Sequence, residues 1–131
     1  MLRISGANMK HKLDDTLSDK ARTAFDAASR AQKQSALKHA TEFIDILPFK
    51  GTPATETQSL AWPRKGVYRG DGAPIVDVPE EIKRATAMVA GIILAKVPFD
   101  VPVVTWVFRE IGHLVRDDAE IYGSRPHATW H

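Results

Sequence analysis

The 131-residue chain contains no cysteine, which excludes disulfides, thiolate metal sites and cysteine nucleophiles. Such a composition suits a reducing compartment. Long apolar runs are missing too. The longest, ATAMVAGIILA from Ala85 to Ala95, is too short for a bilayer core of about 30 Å. Met1 to Asn8 lacks the apolar stretch of a signal peptide. A soluble protein with no membrane partner is therefore expected. Hydrophobic residues make up 44%, which argues against wholesale disorder, and the length favours one domain with one modest core.

A strong excess of one charge is also lacking. The net charge of +2 does not by itself mark a nucleic-acid binder. The distribution is more informative. Residues 1–12 carry Arg3, Lys10 and Lys12 without an acid, and the tail from Gly123 carries Arg125, His127 and His131, again without one. Cationic ends suit docking on an acidic surface or a phosphate backbone.

Catalytic patterns are scarce. His11, His39, His113, His127 and His131 form no H-E-x-x-H motif, so no metal site is expected. Acids pair at Asp14–Asp15, Glu80–Glu81 and Asp117–Asp118. Neighbours on a helix point about 100° apart, so such pairs do not converge on one atom; capping and dipole roles explain them. There is no G-x-S-x-G elbow, and GVYRGDG has glycines without the lysine and helix of a phosphate loop. No enzyme activity, cofactor or small-molecule substrate is expected.

What is present reads as a mainly α fold, a small bundle of about three helices with a long ordered loop. The spacing of Leu17, Ala21, Ala24, Phe25 and Ala28 predicts a helix over about Asp15 to Ala27. Ser29 and Gln32 form a capping box for a second, whose stripe is Ala36, Leu37, Ala40, Phe43, Ile44 and Leu47, with Pro48 as its stop. A third starts at Pro79, with Glu80 and Glu81 in its first turn, Gly91 for a close neighbour and Pro98 as its end. Val101 to Tyr122 fits two templates. Val104, Val107, Phe108, Ile111 and Val115 suit a helix, whereas the β-branched VPVVTWVF run and Gly112 suit a C-terminal β-hairpin. The organisation is a flexible N-terminal arm (1–14), a single domain (15–122) and a C-terminal tail (123–131), in which Trp130 could anchor in a partner pocket.

Between the second and third helices lies a stretch of about thirty residues containing QSLAWPRKGVYRGDGAP, Gln58 to Pro74. Loops of that length are functional or disordered; Trp62, Val67, Tyr68, Ile75 and Val76 should keep this one ordered. Trp62 and Tyr68 interleaved with Arg64, Lys65 and Arg69 are suitable for stacking bases and neutralising phosphates. Equally, Trp62 can fill the core while Pro63 fixes the chain direction and the cations stay solvated.

Three blocks, SRAQKQSALKHATEFID (29–45), TQSLAWPRKGVYRGDGAPI (57–75) and VPEEIKRATAMVA (78–90), together resemble a tailed-phage and prophage family often labelled DnaT-like single-stranded DNA-binding protein. Gln58, Leu60, Trp62, Pro63, Arg64, Asp71, Gly72, Ile75, Pro79, Ile82, Lys83 and Ala85 fall where that family's pattern places them. The resemblance implies a head–tail connector: an adaptor forming a homo-oligomeric ring of twelve copies in the virion neck, assembled in the bacterial cytoplasm. Its implied partners are the portal protein, the tail terminator, stopper or other neck proteins, further copies of itself, and genomic DNA in the channel. Gln58, Leu60, Trp62, Pro63, Arg64, Asp71 and Gly72 would anchor the loop. Contacts with DNA or partners would come from Arg64, Lys65, Arg69, Arg3, Lys10, Lys12, Arg125 and Trp130. The family label implies the alternative, a single-stranded DNA-binding replication accessory protein.

Overall fold

The computed structural model describes residues 8–117, with side chains from Thr16 onward. Four α-helices lie among the described residues: α1 (Asn8–Ala27), α2 (Arg30–Asp45), α3 (Glu80–Ala95) and α4 (Val101–Ile111). A 3₁₀ turn, Gly112–Leu114, follows α4, and the two-residue strands β1 (Thr52–Pro53) and β2 (Arg64–Lys65) pair antiparallel within the long loop. The mainly helical class is as expected, with a fourth helix added.

Packing converges on α3, which lies against α1, α2 and α4. Its Ala85, Val89, Ala90 and Ile92 are completely buried, and the shortness of the alanines lets neighbouring helices approach. At Gly91 the approach is closest. A Cβ there would lie 2.5 Å from the Ala21 carbonyl oxygen of α1, so only glycine fits without a shift. The main core joins Ala36, Ala40 and Ile44 of α2 to Ile82, Ala85 and Val89 of α3, and to Val107 and Ile111 of α4. Ala21, Ile92, Val103 and Trp106 form a second cluster between α1, α3 and α4.

Local chemistry sets the ends. Ser29 caps α2 with its hydroxyl accepting from Gln32 N (3.1 Å), while Gln32 Oε1 accepts from Ser29 N (2.8 Å). Pro79 occupies the N-cap of α3 and not its first turn. The helix ends at Ala95, ahead of Pro98, because Lys96 adopts a left-handed conformation (φ 59°). The first helix begins at Asn8, ahead of Asp15, so residues 8–14 of the expected arm are helical. Residues 1–7 and the tail 123–131 lie outside the described residues.

Over Val101–Ile111 the helix template prevails and the hairpin does not form. Pro102 sits in the first turn, where its missing N–H costs no bond. Val103, Trp106, Val107 and Ile111 then fall on one buried face. Burial at a 3.6-residue period outweighs the β preference of Val and Thr, which is small per residue. Gly112 is right-handed (φ −59°, ψ −30°) and turns no hairpin. Residues 118–122 lie outside the described residues.

Candidate nucleic-acid interface

The chain leaves α2 at Asp45 and reaches α3 at Glu80 through a loop that is braced at several points. Phe49 pairs with Val115; Lys50 N donates to Leu114 O (2.9 Å) and Arg116 N to Pro48 O (2.9 Å). Further on, Thr52 lies opposite Lys65 and Pro53 opposite Arg64. The segment 48–53 thus runs between 114–116 and 64–65, and it brings Lys50, Lys65 and Arg116 to one ladder. Lys65 and Arg116 are exposed and Lys50 is half-buried. Gly51 makes the turn within this ladder: its φ is +72°, and a Cβ would lie 2.2 Å from Lys65 O.

Trp62 points inward. It is 4% exposed and packs edge-on against Phe49, with ring centroids 5.3 Å apart. Its Nε1–H meets no acceptor among the described residues. The Trp62–Pro63 peptide is cis. An indole in this position cannot stack on a base.

Gln58 and Arg64 hold the loop to itself. Gln58 Oε1 accepts from Thr55 N (2.9 Å), and its Nε2 donates to Leu60 O (2.8 Å) and Pro63 O (2.9 Å). Arg64 donates to three carbonyls, Lys50 O (2.8 Å), Ala61 O (3.1 Å) and Gly51 O (2.9 Å). Burial lowers its pKa, while Asp45 opposes the shift. Asp45 Oδ2 accepts from Ala61 N (3.2 Å) and ties the loop back to α2; burial is the main cause that raises this carboxyl's pKa. Leu60 is exposed.

From Val67 to Ile75 the loop forms a small finger. Val67 and Ile75 are buried, and Ile75 N donates to Val67 O (2.9 Å). Tyr68 pairs across with Pro74. At the tip Gly72 has φ +93°, and Asp71 Oδ1 accepts from Ala73 N (3.0 Å). The alternation that buries Val67 turns Tyr68 outward, and the residue is 63% exposed. Arg69 folds back on the body. It forms a two-handed pair with Glu81 of α3: Nη1 to Oε2, and Nη2 to Oε1 at 3.1 Å. Glu81 Oε2 also lies 2.9 Å from His113 Nε2. The guanidinium is the largest influence holding the Glu81 carboxyl down to about 2.

The three cations of the motif therefore separate. Arg64 braces carbonyls, Arg69 grips Glu81, and Lys65 is left exposed beside Lys50. Lys10 and Lys12 lie on α1, whose side chains are described only from Thr16; Arg3, Arg125 and Trp130 lie outside the described residues. Glu80 and Glu81 part company as adjacent helical residues must. Glu80 is exposed and pairs with Lys83 (3.4 Å), whereas Glu81 turns inward and is more than a dipole partner. The sequence carried a signal for this: Glu81, Ala85 and Val89 share one i, i+4, i+8 stripe, and an acid on a buried stripe calls for a cationic partner. Among the described residues no group of acids and histidines could hold a metal ion, and no helix is long and apolar enough to cross a membrane.

A family model described as "Putative DnaT-like ssDNA binding protein" matches residues 12–105. No match was found among curated proteins or among solved structures. This corrects the leading functional expectation. The family match supports single-stranded DNA binding, the alternative, and nothing found supports a head–tail connector. In the loop, Gln58, Arg64 and Arg69 all make hydrogen bonds within the chain. The portal, terminator and stopper partners, the twelve-copy ring and the virion location rested on the connector reading and are carried no further. With 94 consecutive residues of the 131 matched, from one end of the helical body almost to the other, the chain belongs to the DnaT-like ssDNA-binding family.

Proposed function

We propose that this protein binds single-stranded DNA without catalysis, using the finger and ladder of the α2–α3 loop. Tyr68 supplies a stacking surface for an unpaired base, and Lys65 and Lys50 neutralise phosphates. The observation that carries this reading is the exposure of Tyr68 (63% as a residue) on a braced loop whose neighbouring ladder presents Lys65. Stacking on aromatics and tracking the backbone with cations is how single strands are held without sequence preference. The family's description supports the same reading.

Fluorescence anisotropy with a labelled oligothymidine across a salt series tests it. Tyr68→Ala should weaken binding by about 5- to 150-fold, the cost of one lost base stack, and leave the salt slope unchanged. Lys65→Ala should lower the slope by about 0.7, one phosphate contact on a single strand. Equal affinity of the wild type and Tyr68→Ala, or no binding at about 50 mM salt, where phosphate contacts are strongest, would overturn the reading.

A further inference from the structure

Above its apolar base, the finger is linked to α3 through one carboxylate, that of Glu81. Its internal bonds are local: Arg69 N donates to Ala73 O (2.8 Å) and Gly72 N to Arg69 O (2.8 Å). These shape the turn without fixing its angle to the body. Val67 and Ile75 seat its base in the core. Above them, among the described residues, the side-chain link from the finger to α3 is Arg69 to Glu81.

We propose that Glu81 is a positioning residue for the DNA-binding loop: it grips Arg69 from the first turn of α3, is itself steadied by His113, and so sets the pose in which Tyr68 meets a base. Arg69 is then a strap and not a phosphate ligand. This rests on the single-stranded DNA reading above. A bidentate guanidinium–carboxylate pair fixes a plane and a direction as well as a distance. Tyr68 directly precedes Arg69, so anchoring the Arg69 side chain restrains the stretch of backbone that carries the tyrosine. Glu81 is suited to the task because its side chain is only 11% exposed, which keeps the pair from trading freely with water. For Arg69 to turn to a phosphate it would have to give up both of its bonds to a largely buried carboxylate, and taking the countercharge from a buried charge is costly. Holding Tyr68 in its bound pose beforehand removes part of the ordering cost of binding.

The test is a charge-neutral pair of substitutions, Arg69→Gln with Glu81→Gln, which removes one cation and one anion. In the oligothymidine assay, affinity should fall about tenfold, as expected for losing a charge-assisted bond, with the salt slope unchanged. In a Tyr68→Ala background the same pair should cause no further loss. Arg69→Lys, which keeps the charge but not the fork, should also weaken binding without altering the slope. A slope lower by about 0.7 in Arg69→Gln/Glu81→Gln would make Arg69 a phosphate ligand and overturn the proposal, as would unchanged affinity. If the wild type binds no oligonucleotide, the functional reading falls. Positioning is then judged by amide hydrogen exchange at Arg69, Gly72 and Ala73. Exchange about tenfold faster in the double variant supports it, and unchanged exchange overturns it.

Discussion

Trp62 and Tyr68 sit six positions apart on one loop and meet opposite ends. Trp62 lies against Phe49 in the core, and Tyr68 stands in solvent. Trp62→Ala should therefore act on stability, costing about 3–5 kcal/mol as large-to-small core changes do, read as a lowered urea midpoint with unchanged m-value. Either ring could have been the buried one from composition alone. What decides is the local alternation: Val67 goes in, so Tyr68 goes out. Glu81 gives a second prediction at this scale. Its carboxyl is held at about 2 against an ordinary 4.5 by Arg69. A depressed carboxylate stabilises the fold fully above its unfolded pKa, and that contribution is lost as pH falls through the folded one. Urea stability should thus decline between about pH 4.5 and pH 2, and Glu81→Gln should show a shallower decline over that window. The partner of Glu81 was not legible, because Arg69 and His113 reach it across 12 and 32 residues of sequence.

At the scale of elements, caps and stripes were legible, and propensity left Val101 to Tyr122 open between helix and hairpin. The S-x-x-Q signature forms both of its bonds, and Ser29→Ala should cost about 1 kcal/mol, measurable as a lower thermal midpoint. In α4 the residues that suggested a hairpin are helical, since Val103, Trp106, Val107 and Ile111 all reach the core. A local preference worth tenths of a kcal/mol cannot hold against that burial. The α1–α3 crossing supplies a further test. An alanine within a helix ordinarily gains about 1 kcal/mol over glycine, yet at Gly91 it would meet Ala21 O at 2.5 Å and Ala21 Cβ at 2.7 Å. Overpacking costs about 1–3 kcal/mol, so after that gain Gly91→Ala should be net destabilising by up to about 2 kcal/mol. Gly70→Ala, where nothing lies within 4 Å of the new methyl, is the control and should leave the midpoint nearly unchanged.

For the molecule as a whole, charge is modest and its placement matters more. The net value is +2, and the loop's cations Lys50, Arg64, Lys65 and Arg69 share it with Glu56, Asp71 and Asp77. The cations proposed to meet phosphates are Lys50 and Lys65, so the salt slope for single-stranded DNA should be shallow, about −1.4. A slope several times steeper would mean that the strand contacts other surfaces. The sequence by itself determined the helical class, the α2 cap and the need for an ordered thirty-residue crossover, because these follow from spacing and chemistry within a few residues. Only the tertiary structure decided which aromatic faces solvent, which cations are already engaged, and that Val101–Ile111 is a helix. Each of those outcomes depends on groups far apart in the chain, brought together when α3 collects its three neighbours, and burial against such partners outweighs what any short segment prefers alone.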